Sequence, residues 1–201
     1  MTLTMARESY QKEAVRAFDS HDSRLVRLRE IIKRESYQEG RFTLTSGRIS
    51  DYFFQLRQTT MHPEGASLIG DLLVDFMRKE NIHCIGGLEL GAVPVVSAAV
   101  IMSFQQGYDL KAFFVRKEHK KHGAKELIDG HIQSGAEVLI VDDVTTTGGS
   151  ILRAIDSIAD KQCKITKALS IVDREEGAPL HLSERNIILY SLFTRSDFRG
   201  G

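Results

Sequence analysis

Two adjacent carboxylates, Asp142 and Asp143, stand between an apolar run and a loop of small residues in the segment VLIVDDVTTTGGS, residues 138–150. The four apolar residues before them predict a buried strand, and the sequence ILRAI after the loop predicts the start of a helix. In open α/β sheets, ligands bind beyond the carboxyl ends of the strands. The sequence therefore places both acids where a ligand is expected.

The loop after the acids has the composition of an anion-binding turn. Gly148 and Gly149 allow tight turns, so successive backbone N–H groups can point at one anion, and a helix N-terminus adds partial positive charge. Hydroxyl donors accompany the glycines at Thr145, Thr146, Thr147 and Ser150. We expect a phosphate monoester here. The segment lacks both the Gly-Lys-Ser/Thr of a nucleoside-triphosphate loop and the GxGxxG of a dinucleotide fingerprint.

Acids directly ahead of a phosphate loop are suited to a ribose phosphate. Their oxygens can accept hydrogen bonds from the 2′- and 3′-hydroxyls of a ribose whose 5′-phosphate lies in the loop. They would also lie near C1 of the sugar, where positive charge develops as a leaving group departs. The alternative is a helix N-cap loop with acidic caps.

A cluster of positive charge lies upstream in FFVRKEHKKHGAKELIDG, residues 113–130, and comprises Arg116, Lys117, Lys120, Lys121, His122 and Lys125. These cations could stabilise the charge that grows on a departing pyrophosphate. Gly123 and Gly130 bracket a segment that could close as a lid and exclude water. The alternatives are a solvated charge run and a nucleic-acid surface. Two observations weigh against a nucleic-acid surface. The charge cluster has no interleaved aromatic residues, and the whole chain is neutral, with 27 basic and 27 acidic residues.

Several segments together resemble one enzyme family. Residues 138–150 resemble the motif of type I phosphoribosyltransferases that binds phosphoribosyl pyrophosphate (PRPP). The pattern Arg-Lys-x-x-Lys-x-His-Gly at residues 116–123 is similar to the flexible catalytic loop of orotate phosphoribosyltransferases. FTLTSGRISDYFF, residues 42–54, and IVDREEG, residues 171–177, resemble two further signatures of that family. The resemblance extends over about residues 23–195.

The resemblance implies an activity and a set of PRPP-binding residues. The expected reaction transfers the phosphoribosyl group from PRPP to orotate, with Mg²⁺ held through the substrates and few direct protein ligands. Lys120, His122, Asp142 and Asp143 are the expected catalytic residues. The expected PRPP-binding residues are Arg116, Lys117, Lys120, His122, Asp142, Asp143, Val144, Thr145, Thr146, Thr147, Gly148, Gly149 and Ser150.

The resemblance also implies orotate-binding residues, namely Thr146, Arg174, Phe53 and Phe54. A guanidinium at position 174 suits orotate, because its planar fork of donors matches a carboxylate and ring carbonyls. The alternative for Arg174 is an ion pair with Glu175 or Glu176, and for the two phenylalanines it is core packing. In the family, the lid reaches the neighbouring subunit's active site, which implies a homodimer with shared sites.

The chain departs from the family pattern at two places. Thr45 stands where many members have a lysine, and Leu90 and Gly91 stand where many have Tyr-Lys. Both missing lysines face pyrophosphate in those members, and Glu89 would repel it. Two rival functions therefore stay open. One is a phosphoribosyltransferase for another base, and the other is a PRPP-sensing regulatory protein with weak or no catalysis.

The elements that must position these residues follow from the rest of the sequence. From about residue 82 onwards, short apolar runs alternate with helical stretches, which predicts an α/β fold whose mainly parallel sheet is covered on both faces. This agrees with the type I phosphoribosyltransferase fold implied by the resemblance. We expect a polar, loosely docked extension over residues 1–22 and a single domain over residues 23–201, with a hood over about 23–62.

Composition adds a prediction about location. No apolar run approaches the length of a membrane span, and the N-terminus lacks the apolar core of a signal peptide. Cys84 and Cys163 lie far apart in sequence, outside any CxxC pattern, which is typical of reduced thiols. We therefore expect a cytoplasmic protein without a membrane or nucleic-acid partner.

Overall fold

A seven-stranded sheet forms the centre of the computed structural model, which describes residues 13–43, 47, 49–118 and 127–199. Its strand order is β1-β9-β8-β7-β4-β5-β6, and each of these pairs is parallel except β5–β6. A separate antiparallel hairpin pairs β2 with β3. The strands are β1 Val15–Arg16, β2 Tyr37–Thr43, β3 Ile49–Phe54, β4 Cys84–Leu88, β5 Lys111–Val115, β6 Ile128–Gly130, β7 Glu137–Thr145, β8 Lys164–Asp173 and β9 Ile188–Thr194.

Helices cover both faces of this sheet. They are α1 Ser23–Glu35, α2 Arg57–Thr60, α3 Pro63–Glu80, α4 Ala92–Gln105, α5 Gly149–Ser157 and α6 Ala178–Ser183, with 3₁₀ turns at Ala159–Lys161 and Arg195–Phe198. Leu139 and Val141 of β7 pack in one apolar cluster with α1, α3 and α4. Val138 and Ile140 pack in a second cluster with α5 and α6. The alternation explains why the strand is apolar throughout, and it confirms the expected parallel sheet between helices.

The hairpin β2–β3 lies in the region expected to form a hood. Its aromatic residues attach it to the C-terminal 3₁₀ turn, because the Phe198 ring lies 5.3 Å from Phe54 and 5.6 Å from Tyr37. Between its two strands the structure describes only Gly47, so Thr45, where many family members have a lysine, lies outside the described residues.

Val15 and Arg16 add a short strand to the sheet, within the extension over residues 1–22 that was expected to be loosely docked. β1 pairs in parallel with β9, and Arg16 forms an ion pair with Asp197 at 2.5 Å. A two-residue strand has no periodicity of its own, so its pairing depends on the free edge of β9. The short strand β6 and the helix α6 also went unpredicted.

None of the helices in the described ranges is both long and apolar enough to cross a membrane.

Candidate active site

The acid pair lies within strand β7, which continues past the acids to Thr145 and is longer than the apolar run predicts. Asp142 is buried and Asp143 is half-buried. Each carboxylate accepts one hydrogen bond from the next residue's N–H, at 3.2 Å for Asp142 and 2.9 Å for Asp143. The extended backbone holds the two acids in a fixed position at the carboxyl end of the central strand.

Burial raises the pKa of both acids, and the charge of Asp143 adds to the shift of Asp142. Burial and the charge of Asp143 hold the pKa of Asp142 well above its usual value, against an opposing effect of Lys117. Burial also raises the pKa of Asp143, and the charge of Arg57 opposes this shift. Two neighbouring carboxylates that resist ionisation are suited to bind hydroxyl donors or a cation, because either partner relieves the cost of their charge.

The loop after β7 presents unpaired donors towards the same edge. Gly148, the N-cap residue directly before α5, has φ +83°, and no side chain caps that helix. A left-handed backbone at this point favours glycine, and the first N–H groups of a helix have no intrahelical partner. The Thr145 hydroxyl oxygen is buried and has no hydrogen-bond partner in the described residues. Together these groups can hold an anion.

Helix α6 packs against the loop that joins β7 to α5. A Cβ built on Gly148 would lie 3.4 Å from Leu182 and 3.6 Å from Ala178. The His181 ring donates from Nδ1 to the Thr147 carbonyl at 2.9 Å. These contacts hold the loop in place against α6.

Arg116 and Lys117, the first two residues of the pattern at 116–123 that resembles a catalytic lid, are held by neighbouring segments. Glu89 accepts a hydrogen bond from the backbone N–H of Lys117 at 2.7 Å, and Arg153 donates to the Lys117 carbonyl. Arg116 forms an ion pair with Asp129 on the strand that follows the lid. Lys120 and His122, together with residue 119 and the rest of 121–126, lie outside the described residues.

The predicted base-recognition turn, residues 174–177 directly after β8, contacts both the end of β7 and the hairpin β2–β3. The Arg174 N–H donates to the Thr145 carbonyl at 2.9 Å, and its Nε donates to the Tyr52 hydroxyl at 2.9 Å. The expected alternative ion pair is also present, with Glu176 at 3.0 Å, but the Arg174 side chain is only 11% exposed. The structure therefore brings Thr146, next to Thr145, and Arg174 to one edge of the sheet.

The two predicted phenylalanines differ. Phe54 is buried among Tyr37, Tyr52 and Phe198, which fits the alternative of core packing. Phe53 is half-buried and lies 5.6 Å from the Phe42 ring. A role for either ring in binding a base stays a prediction.

Several residues at this edge were missed by the sequence reasoning. Tyr52 contacts Arg174, Arg195 stacks on the Tyr52 ring, and Arg57 acts electrostatically on Asp143. Glu89 was expected only to repel pyrophosphate, but it also holds the backbone of Lys117. Tyr52 lies within the family-like segment of residues 42–54, and Glu89 lies beside the departure at Leu90 and Gly91, so both positions carried a signal. Arg57 and Arg195 lie outside the four segments, and no local pattern distinguishes them from surface arginines.

Two further observations concern the rest of the described chain. A cavity of about 820 Å³ lies at the amino end of β5, between Lys111, His131 and Lys161, away from the acid pair. In the part of the chain that the structure describes, no group of three or more His, Cys, Asp or Glu side chains could hold a metal ion.

Comparisons with known proteins are consistent with this geometry. A family model described as "Phosphoribosyl transferase domain" matches residues 56–187. The chain is similar to the orotate phosphoribosyltransferase of Bradyrhizobium diazoefficiens, with 43% identity over 177 residues, 86% of this chain and 95% of the relative. It is also similar to the Mycobacterium tuberculosis H37Rv orotate phosphoribosyltransferase in complex with Fe(III) dicitrate, with 34% identity and a TM-score of 0.77, covering 88% of this chain and 99% of that one. The same enzyme in complex with PRPP matches with 26% identity and a TM-score of 0.74, over 94% and 99%.

Proposed function

The chain belongs to the orotate phosphoribosyltransferase family, and from this premise we propose that it transfers the phosphoribosyl group of PRPP to orotate. The products are orotidine 5′-monophosphate and pyrophosphate, and the reaction belongs to UMP biosynthesis. A relative bound to PRPP supports the donor, and the shared family name supports the acceptor.

One observation carries the proposal for this chain. The hydrogen bond from the Arg174 N–H to the Thr145 carbonyl, at 2.9 Å, joins the base-recognition turn to the end of the strand that holds Asp142 and Asp143. A ribose held by the acids and a base held by the guanidinium would therefore be neighbours. Their C1 and ring nitrogen would meet without a large rearrangement of the described backbone.

The proposed roles follow from the chemistry of each group. The 5-phosphate accepts hydrogen bonds from the N–H and hydroxyl groups of residues 145–150. Asp142 and Asp143 accept hydrogen bonds from the ribose hydroxyls, and their negative charge favours the oxocarbenium-like character that develops at C1. Arg174 pairs with the carboxylate and carbonyl oxygens of orotate, as Thr146 and the hairpin enclose the ring.

The departing pyrophosphate needs cations. Lys117 and Arg57 both act electrostatically on the acid pair, so they are described cations near enough to assist a departing diphosphate. Arg57 would supply positive charge that the missing lysines do not, because this chain has Thr45 and Gly91 where many relatives have lysine. Lys120 and His122 of the lid complete the set in the proposal, and one of them protonates the leaving group.

Magnesium fits this arrangement. The acid pair offers hard carboxylate oxygens, which are the ligands that Mg²⁺ prefers, and a nearby cation would offset the cost of burying their charge. Asp142 and Asp143 would hold the ion together with substrate oxygens. When bound, it would supply positive charge to the pyrophosphate as the C1–O bond breaks.

We further propose a homodimer in which each lid serves the partner's site, in a cytoplasmic setting. Both cysteines lie in the described ranges and are free thiols, which fits a reducing compartment. The shared-site arrangement follows from the family pattern at residues 116–123.

The direct test is the loss of orotate absorbance with PRPP and Mg²⁺ present. The expected result is conversion of orotate with one pyrophosphate released per turnover. A parallel panel of purine and pyrimidine bases decides the substrate, because turnover of another base without orotate would replace the proposed acceptor. Binding of PRPP in calorimetry without turnover of any base would favour the regulatory alternative.

A further inference from the structure

We propose that Arg195 is a positioning residue for base recognition and acts through Tyr52 to fix the orientation of Arg174. The inference rests on the proposed function and adds a residue that the family signatures do not include. Arg195 is the first residue of the C-terminal 3₁₀ turn, directly after strand β9.

Tyr52 is the link between the two arginines. Its hydroxyl accepts from Arg174 Nε at 2.9 Å and donates to the Glu176 carboxylate at 3.3 Å. Its ring centroid lies 4.8 Å from the Arg174 Cζ and 3.9 Å from the Arg195 Cζ. Because the buried Tyr52 contacts Arg174 through both its hydroxyl and its ring, a shift of that ring would change the position of the Arg174 guanidinium.

Arg195 is held mainly by that ring. One of its terminal nitrogens donates to Asp51 at 2.8 Å, but the Asp51 side chain is 80% exposed, so this pair contributes little. Its Nε is buried and has no hydrogen-bond partner in the described residues. A buried donor is retained at a cost, and the cation–π contact with Tyr52 is the interaction that offsets it.

Ser196, the residue after Arg195, anchors the turn that carries Arg174. The Ser196 N–H and hydroxyl both donate to the Glu175 carboxylate, at 3.0 and 2.7 Å. Glu175 has φ +60°, so the turn is held in a conformation that a non-glycine residue seldom adopts without support. The 3₁₀ turn therefore contacts the hairpin through Arg195 and the base-recognition turn through Ser196.

These contacts predict a selective effect on the base. Arg174 donates to Tyr52 through Nε and pairs with Glu176 through one terminal nitrogen, which fixes the plane of its guanidinium. The remaining donors of that plane face the bound base in the proposed site. Loss of the Arg195 stack would let Tyr52 tilt and rotate this plane, without altering the phosphate loop.

The test compares Arg195→Met, Arg195→Lys and Tyr52→Leu with the control Arg185→Met, which removes a surface arginine paired with Asp156. We expect Arg195→Met to raise KM for orotate about tenfold, as for a weakened hydrogen bond to a charged group, and to leave KM for PRPP unchanged. Arg195→Lys should recover only part of the loss, because an ammonium cannot stack as a plane. In a Tyr52→Leu background, Arg195→Met should have no additional effect.

Equal changes in both KM values, or additive effects of the two substitutions, would overturn the inference. Hydrogen exchange gives a readout that does not depend on the substrate. Arg195→Met should speed exchange in residues 49–54 and 174–176, and Arg185→Met should not. If exchange is unchanged there, the positioning role is wrong even in an active enzyme. If exchange accelerates but wild-type protein does not convert orotate, the proposed function fails and the coupling through Tyr52 stands.

Discussion

A Cβ atom built on Gly91 would lie 2.2 Å from Oδ1 of Asp143, so the backbone before helix α4 is in direct contact with the acid pair. Gly91 occupies the place where many relatives have a lysine. A longer side chain at this position could not share the space with the observed Asp143 carboxylate. The Asp143 carboxylate therefore occupies the space that a side chain at position 91 would need.

Replacement of Gly91 by Ala is predicted to impair catalysis more than folding. Gly91 has φ −61° and ψ −44°, which alanine adopts without strain, so thermal stability should change little. The added methyl group must displace the Asp143 carboxylate, and a misplaced catalytic group costs about 10- to 100-fold in rate. Steady-state kinetics beside a melting curve checks this. Full activity would show that Asp143 can move freely without loss of function.

Replacement of Asp142 by Asn is predicted to stabilise the protein and inactivate it. Because burial raises the pKa of Asp142, the folded state disfavours its charge, and this cost grows as pH rises above the usual value for an aspartate. Asn keeps an oxygen that can accept from the Asp143 N–H. We expect a higher Tm at pH 8 than wild type, by about 2–4 °C per kcal/mol gained, and a rate lowered about 100-fold.

Differential scanning calorimetry at pH 5 and pH 8 separates charge from packing in this variant. A stabilisation that is the same at both pH values would indicate a packing effect, since the charge effect must be larger at the higher pH. A lower Tm at pH 8 would contradict the prediction outright.

The residues that could be predicted from sequence are those whose signal is local. Asp142, Asp143 and the glycines of the loop lie within thirteen consecutive residues, and strand, turn and helix follow in order. The contact between Arg195 and Asp51 joins residues 144 positions apart, and neither residue belongs to a periodic pattern. Such contacts depend on how β9 and the hairpin meet in three dimensions, which no sequence window contains.

Replacement of Asp173 by Asn is predicted to remove a pH dependence of stability. Asp173 is 1% exposed, and burial, with the charges of Glu175 and Glu176, raises its pKa to about 6. A raised acid pKa means that the folded state binds a proton more tightly, so stability falls as pH rises from about 4 through 6. The contribution is at most roughly 3 kcal/mol.

Urea unfolding from pH 4 to pH 8 measures this effect. The gain of Asp173→Asn over wild type should grow between pH 4 and pH 6.5 and then stay constant. The surface variant Asp160→Asn is the control, because its side chain is 69% exposed. A gain that does not vary with pH would show that Asp173 is not the titrating group.

Replacement of Lys120 by Ala is predicted to lower kcat far more than stability. The prediction rests on the basic pattern at residues 116–123, since Lys120 lies outside the described residues. An unchanged kcat would remove Lys120 from the proposed mechanism.

Mixing two inactive variants tests whether the sites are shared. Lys120→Ala should lack a working lid, and Asp143→Asn should lack a working acid pair. If each lid serves the partner's site, a mixed dimer contains one site with an intact lid and intact acids. Random exchange between subunits of a symmetric dimer should then restore about a quarter of wild-type activity. If each lid serves its own subunit, every site in the mixture carries one defect. Activity that stays at the level of the separate variants, after subunit exchange has been verified by mass-tagged chains, would therefore show that the lid acts within its own chain.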